Sequence, residues 1–191
     1  MGDPKKLRKK YNPPRHPWQG PRINAERILV KDYGLKNKRE IYKSQSLLRN
    51  FAKQAKQLIA FKSEQSEKEK HQLFAKLIKL NLLNKDAADL EQVLGLTINK
   101  ILDRRLQTLV YKKGLAKTQK QARQFITHGS IAIKGQKINI PGYLVNADEE
   151  YHIEFVKNSS LSNPEHPERA IKEKKVEIKK EVNENLENET G

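Results

Sequence analysis

The chain has 191 residues, of which 39 are Lys or Arg and 23 are Asp or Glu, so its formal net charge at pH 7 is +16. An excess of this size indicates a polyanionic partner. The absence of cysteine excludes disulfide bonds, thiolate zinc sites and a cysteine nucleophile. The sequence contains neither an uncharged apolar run of the roughly 20 residues that a membrane span needs nor the apolar segment of a secretory signal. We therefore expect a soluble intracellular protein with no membrane partner.

The positive charge is concentrated in two regions. Residues 1–62 hold 17 basic and 4 acidic side chains, a net charge of +13, and residues 100–157 hold 11 basic and 5 acidic ones, a net charge of +6. Residues 63–99 and 158–191 have net charges of −1 and −2. This distribution predicts two cationic regions separated by a nearly neutral helical spacer.

Residues 1–22 are predicted to form an extended basic arm. They contain five of the eight prolines, and proline at that density opposes both helix formation and strand pairing. An arm of this kind becomes ordered along a charged nucleic acid. The single tryptophan, Trp18, lies within it. We expect Trp18 to anchor the arm to the folded body, and the alternative is a platform on which a base stacks.

Residues 23–96 are predicted to form a small all-helical domain. The first helix covers residues 24–33 and stops at Gly34, which suits the left-handed conformation that follows a helix. A longer helix covers residues 38 to about 61, because apolar residues recur there with approximately the helical period.

Two shorter helices complete this domain. Ser66 and Glu69 have the spacing of a capping box at the start of a third helix. Asp86 is placed to cap a fourth helix that continues to Leu94 and ends at Gly95. The apolar stripes of these helices are interpreted as core.

Residues 97–157 are predicted to form a module of two helices and a small β-sheet. Its first helix is capped by Thr97 and continues to about Lys112, with an apolar stripe of helical period. Arg104 is expected opposite that stripe, on the exposed face. Arg105 falls within the stripe, where its guanidinium either extends to the edge of the core or reaches a phosphate at the rim.

The second helix of the module follows a stop at Gly114. Thr118 and Gln121 form a capping box, and the helix ends near His128 before Gly129. Its N-terminus offers free backbone N–H groups and partial positive charge to a phosphate. The outer face is expected to carry Lys120, Arg123 and Thr127.

A β-hairpin follows the second helix. Residues 130–133 alternate in polarity, Lys134 and Gly135 form a two-residue turn, and residues 136–140 return. Residues 151–156 are predicted to add a third strand. Lys134, at the tip, is positioned to reach a phosphate.

The remaining residues, 158–191, are predicted to be a charged, disordered tail, or at most a lone charged helix. The fold class is therefore α+β: a basic arm, a helical domain, an RNA-binding module of two helices with a hairpin or small sheet, and a disordered tail.

Residues 104–145, RRLQTLVYKKGLAKTQKQARQFITHGSIAIKGQKINIPGYLV, resemble the RNA-binding module of small-subunit ribosomal protein four. The spacing of RRLQT, KGLA, QAR with FI and HG, and PGY is specific to that family. The segments Pro13-Pro14-Arg15 and YGLKNKRE at residues 33–40 are similar to its archaeal and eukaryotic branch. The resemblance covers residues 13–156. Bacterial members often carry an N-terminal cysteine cluster for a metal, which this sequence lacks.

The resemblance implies a structural protein that binds small-subunit ribosomal RNA early in assembly, at a helical junction of its 5′ domain. Family members also lie near the channel through which messenger RNA enters, beside other ribosomal proteins, and influence decoding accuracy. The implied partners are therefore ribosomal RNA, neighbouring ribosomal proteins and messenger RNA, in the cytoplasmic ribosome. The positions expected to contact RNA are Arg15, Arg22, Lys36, Lys38, Arg39, Arg104, Arg105, Lys117, Thr118, Lys120, Arg123, His128 and Lys134.

No feature of the sequence indicates catalysis, a cofactor or a metal. The five histidines are too scattered for a metal site, there is no phosphate-binding glycine motif, and His128 is expected to cap carbonyls or touch phosphate. Two alternatives remain: an assembly factor of the same fold that binds precursor RNA, and an accessory module of an RNA-modifying enzyme or tRNA synthetase.

Overall fold

A computed structural model of the chain describes residues 2, 9, 11–61, 63–84, 89–163 and 166–168. Within these ranges the helices are α1 (Gly20–Asp32), α2 (Lys38–Ala60), α3 (Glu64–Lys79), α4 (Leu90–Leu94), α5 (Ile98–Asp103), α6 (Leu106–Lys112), α7 (Gln119–Thr127) and α8 (Ala147–Glu150). The strands are β1 (Ile131–Ile133), β2 (Gln136–Lys137) and β3 (Ile153–Phe155), and a short 3-10 helix covers Ser160–Ser162. This is the α+β architecture predicted from the sequence. None of the helices in the described part of the chain is long and apolar enough to cross a membrane.

Helix α2 is the centre of the N-terminal half, because α1, α3, α4 and α5 all pack against it. Its buried residues Phe51 and Ala55 share one hydrophobic core with Leu73 and Leu77 of α3 and Val93 of α4. Full burial of a large apolar side chain contributes roughly 1.5–3 kcal/mol. This core therefore fixes the short helices around α2.

The first two helices agree closely with the prediction. Helix α2 ends one residue before the predicted position, and Gly34, with φ +56°, follows α1 as expected. Helix α1 begins at Gly20 instead of Asn24, because Pro21 in the first turn sacrifices no hydrogen bond there. The expectation of an extended arm is therefore wrong for the last residues of 1–22.

The caps of α3 and α4 differ from the prediction. Ser63, not Ser66, caps α3: its hydroxyl accepts the N–H of Ser66, and the Ser66 hydroxyl accepts the N–H of Ser63 at 2.7 Å. Ser63 lies directly before the helix and accepts a free N–H of the first turn, whereas Ser66 lies inside that turn. Asp86 lies outside the described residues, and the carboxylate of Asp89 accepts the first N–H of α4 at 2.6 Å. Gly95 follows α4 as predicted.

The continuous helix predicted to end near Lys112 is wrong, because the chain is extended at Arg105 between α5 and α6. Residues 141–145 run antiparallel to the break. The N–H of Leu106 donates to the carbonyl of Tyr143 at 2.8 Å, and the N–H of Val145 donates to the carbonyl of Arg104 at 3.0 Å. The backbone groups that leave the helix thus find partners in another segment, so the break leaves them satisfied.

The predicted sheet is present, with strand order β2-β1-β3 and both pairs antiparallel. Lys134 and Gly135 form the two-residue turn, with φ of +51° and +80°. Positive φ at both central residues matches the twist of a hairpin. Ala132 lies between Lys137 on one side and Glu154 on the other, which places β1 in the middle of the sheet.

The helices and sheet of the module enclose a second hydrophobic core. Its largest fully buried members are Leu106, Val110, Ile126, Ile131 and Val145. Leu161 of the 3-10 helix also belongs to it. Packing thus continues beyond residue 157, where the tail was predicted to begin, and the predicted disorder of the later residues falls mostly outside the described part of the chain.

Candidate nucleic-acid interface

The N-terminus of α7 is built as a capped helix start with exposed cations beside it. The Thr118 hydroxyl accepts the N–H of Gln121 at 3.1 Å, as predicted. The side chain of Gln121 returns to the N–H of Lys117, at 2.7 Å, instead of that of Thr118. Lys117, Thr118 and Lys120 are exposed. This end of α7 combines two lysines with the positive end of the helix dipole, a setting that favours an anion.

The other end of α7 and the hairpin tip add further polar groups. His128 is the C-cap residue of α7, is exposed, and is followed by Gly129 with φ +71°. Lys134 is exposed at the hairpin turn. Burial would raise the pKa of Glu149, but hydrogen bonds from Asn146 and Tyr143, together with the charge of Lys134, lower it. Lys134 therefore contributes positive potential at this corner.

Arg104 does not occupy the exposed face on which it was expected. It is 7% exposed, and its guanidinium donates to the Glu150 carboxylate at 2.6 Å and to the Val145 carbonyl at 3.1 Å. Residues 145–150 supply both acceptors, so a distant segment of the chain covers the side of α5 that was expected to face solvent. Its charge is used inside the module.

Arg105 and Arg123 meet on one carboxylate, that of Glu40 in the first turn of α2. Arg105 is 5% exposed and donates at 2.5 Å, and Arg123 donates to both carboxylate oxygens, at 2.6 and 3.2 Å. Burial alone would raise the pKa of Glu40, but the hydrogen bonds from Arg123 and Arg105 outweigh it, and the pKa is lowered. Neither alternative proposed for Arg105 describes this inward ion pair, which joins the module to the N-terminal half.

Gln107 extends this junction. Its amide nitrogen donates to the carbonyls of Gly34 at 3.0 Å and Gln119 at 2.9 Å, and its amide oxygen accepts from Arg123 at 3.2 Å. The side chain is almost fully buried. One amide thus joins the C-terminus of α1, the first turn of α7 and the Glu40 cluster, which fixes the relative placement of two predicted binding surfaces.

The N-terminal half divides its predicted contacts in the same way. Arg15, Lys36 and Arg39 are exposed. Arg22 and Lys38 both pair with Glu26, which is 2% exposed, Lys38 at 3.1 Å. Glu26 therefore pairs with two of the residues expected to contact RNA and offsets one of their two positive charges.

Trp18 does not anchor the arm, since 89% of it is exposed. The arm is held instead by other residues: the N–H of Asn12 donates to the Ser46 hydroxyl at 3.1 Å, and Tyr11 lies against Tyr42 with ring centroids 6.4 Å apart. The expected anchoring role of Trp18 is thus wrong.

Sequence reasoning missed the acidic partners Glu26, Glu40 and Glu150. The sequence did contain a signal for the first two. Residues 1–62 hold only four acidic residues, and an isolated acid in so basic a segment is expected to form ion pairs. Glu150 carried no such signal, because it belongs to a run of three acidic residues, 148–150. In the described part of the chain, no group of three or more His, Cys, Asp or Glu is arranged to hold a metal ion.

Comparisons with known proteins agree on one family. Residues 104–150 match the S4 domain. The chain is 52% identical over 177 residues to the small ribosomal subunit protein uS4 of Methanococcus aeolicus, an alignment that covers 93% of this chain and 100% of that protein. It is 51% and 49% identical over 169 residues to the proteins of the same name from Methanococcus maripaludis and Methanococcus vannielii, with 88% of this chain and 95% of each relative covered.

Proposed function

Since the chain belongs to the uS4 family of small ribosomal subunit proteins, we propose that it is a structural component of the small ribosomal subunit and binds small-subunit ribosomal RNA directly. It nucleates folding of the 5′ domain by holding a helical junction in its assembled arrangement. It has no catalytic role, works in the cytoplasmic ribosome, and influences decoding accuracy from a position near incoming messenger RNA and neighbouring proteins.

The observation that carries this proposal is the exposed polar surface of the S4 domain around α7. Lys117, Thr118 and Lys120 lie exposed at the positive end of that helix, with Lys134 at the hairpin tip. Lysine and arginine neutralise phosphates and release condensed counterions, which supplies much of the affinity for a nucleic acid. Backbone N–H groups at a helix N-terminus add phosphate contacts.

The direct RNA contacts proposed are those predicted positions that the fold leaves exposed. They are Arg15, Lys36, Arg39, Lys117, Thr118, Lys120, His128 and Lys134. Arg22, Lys38, Arg104, Arg105 and Arg123 are engaged by carboxylates. RNA contact by these five stays a prediction, and their ion pairs favour a role in fixing the two surfaces relative to each other.

The test is binding of the full chain to a 5′-domain fragment of small-subunit ribosomal RNA, measured by filter binding at increasing salt. The logarithm of the affinity should fall linearly with the logarithm of salt concentration, steeply between about 50 and 200 mM. An unrelated structured RNA of equal length is the control for specificity. A flat salt dependence, or equal affinity for both RNAs, contradicts the proposal.

A transient assembly factor has the same fold and the same RNA-binding surface. The names of the relatives favour the structural component over this alternative and over an accessory module of an enzyme. Sedimentation separates the two: a structural component is present in mature small subunits at one copy each, whereas an assembly factor is found only with precursor particles.

A further inference from the structure

We propose that Trp18 is a stacking platform for an unpaired RNA base, presented by a turn that is fixed before RNA arrives. This inference rests on the proposed RNA-binding function, and it adds a base-contacting residue outside the S4 domain. The observation behind it is the exposure of Trp18, in a chain that has no other tryptophan.

The turn that carries Trp18 is held by a side chain from α1. One nitrogen of the Arg22 guanidinium donates to the carbonyls of His16 and Pro17, at 3.0 and 2.9 Å, and another pairs with Glu26. The two carbonyls belong to the residues directly before Trp18, so the backbone there is fixed while the indole stays in solvent. A platform arranged in advance binds with less loss of conformational entropy.

The attachment of this turn extends to α2. The Glu26 carboxylate, which receives Arg22, also receives Lys38 at 3.1 Å and the Tyr42 hydroxyl at 3.4 Å. The side of the arm before Trp18 is joined to α2 by Asn12 and Ser46. The segment that carries the indole is therefore attached to the folded body through both Asn12 and Arg22. The indole is exposed although the backbone beside it is held in place.

Charge and neighbours favour a nucleic acid over a protein as the occupant. Residues 11–39 contain seven basic residues and two acidic ones, and one of the acids, Glu26, is buried beneath two cations. The residues that flank Trp18, His16, Pro17, Gln19 and Gly20, are all exposed. Base stacking needs one aromatic face and nearby cations, and the exposed indole in this basic segment offers both. Arg15, three residues before Trp18, is exposed and is one of these cations.

The test uses the intrinsic fluorescence of the full-length protein, because all tryptophan emission comes from Trp18. The 5′-domain RNA fragment should quench this emission and protect the indole from acrylamide. Heparin, a polyanion without bases, should bind while leaving both properties near their values in the free protein. Quenching and protection of equal size with heparin would overturn the stacking proposal.

Substitutions of Trp18 measure how much the stacking contributes to RNA affinity. Trp18→Ala should weaken binding of the RNA fragment by about 5- to 150-fold, the range for loss of one stacked base. Trp18→Phe should retain most of the affinity, and Trp18→Leu, which keeps apolar bulk without an aromatic face, should behave like Trp18→Ala. Thermal unfolding should be unchanged in all three, because the side chain packs on almost nothing.

The outcomes separate this inference from the proposed function. Wild-type affinity in Trp18→Ala, or RNA binding with unaltered emission, overturns the stacking role and leaves RNA binding intact. Protection of Trp18 that requires other small-subunit proteins also overturns it, in favour of a protein partner. A wild-type chain that does not bind the fragment overturns the proposed function itself.

Discussion

The module and the N-terminal half use arginine in opposite ways. Residues 97–157 contain three arginines, and each of them is paired with a carboxylate inside the fold. In the described part of the N-terminal half, Arg15, Arg27, Arg39 and Arg49 are exposed, and only Arg22 is paired with an acid. The module instead exposes lysines at the start of α7 and at the hairpin tip.

Chemistry explains why the buried positions take arginine. A guanidinium is planar, weakly hydrated and able to bind both oxygens of a carboxylate, as Arg123 does with Glu40. An ammonium group is more strongly hydrated and suits an exposed surface. The net charge of +6 is therefore larger than the charge that the module exposes to a partner, because some of its arginines form ion pairs that hold the fold together.

The largest expected effect comes from removing the carboxylate that joins the two regions. Glu40→Gln leaves Arg105 buried without a counter-charge, and we expect it to lower the free energy of unfolding by about 3 kcal/mol, the lower end for a broken buried ion pair. Denaturant unfolding measures this. Glu154→Gln, at an exposed glutamate of β3, is the matched control and should change stability little. Equal stability of the Glu40 and Glu154 variants would show that the ion pairs do not hold the two regions together.

A substitution at Gly34 should disturb the same junction by steric clash. A Cβ at Gly34 would lie 2.8 Å from the Cβ of Gln119 and 3.2 Å from its carbonyl carbon, and φ is +56°. Gly34→Ala should therefore cost roughly 2–3 kcal/mol, from backbone strain and overpacking. Gly135→Ala is the control, because its φ of +80° carries strain while nothing lies within 4 Å of the added Cβ. It should cost roughly 1 kcal/mol, and an equal loss in both variants would remove the steric contribution.

Measuring both RNA binding and stability distinguishes an exposed arginine from a paired one. Arg39→Ala should weaken binding of the RNA fragment by about 1 kcal/mol and reduce the salt slope by about 1, with unfolding unchanged. Arg104→Ala should destabilise the fold, since it leaves Glu150 without its partner, and should keep the wild-type salt slope. The reverse pattern would place phosphate contact on the paired arginine and contradict the contrast between the two regions.

Features set by neighbouring residues were predictable from the sequence. The bounds of α2, the glycine after α7 and the Lys134–Gly135 turn follow from local periodicity and from positive φ. The choice between Ser63 and Ser66 failed even locally, because two serines three residues apart compete for the same cap.

The site was less predictable, because its geometry depends on residues far apart in the sequence. At the break around Arg105, residues 141–145 accept and donate the backbone hydrogen bonds that the helix loses. The apolar periodicity of residues 98–112 contains no information about that distant segment. Counting 100° per residue gives the side of α5 on which Arg104 lies, but it cannot show that residues 145–150 cover that side. Glu40 and Arg123 are likewise brought together only by the packing of the module on α2. Residue type was therefore a good guide to chemistry, and a poor guide to whether a cation faces solvent.

The effect most specific to Glu40 is a pH dependence. The pKa of Glu40 is lowered in the folded chain: burial would raise it, and the hydrogen bonds from Arg123 and Arg105 more than compensate. The unfolded chain therefore binds more protons than the folded one between the two pKa values, and stability rises with pH there. The contribution of the ion pairs is complete above the ordinary pKa of a glutamate carboxyl, which the unfolded chain retains, and is lost as pH falls through the lower value of the folded chain.

This dependence is measured as the difference in unfolding free energy between the wild type and Glu40→Gln from neutral pH downward. The difference should be constant near neutrality and shrink in acid, because protonation then makes the wild-type carboxyl resemble the amide. Glu149, whose pKa is also lowered, contributes the same background to both proteins and cancels. A difference that stays constant through this acid range would mean that the two arginines are held by packing and not by the charge of Glu40. Arg105 and Arg123 would then be able to exchange Glu40 for a phosphate, and only Arg104 would still support the contrast with the N-terminal half.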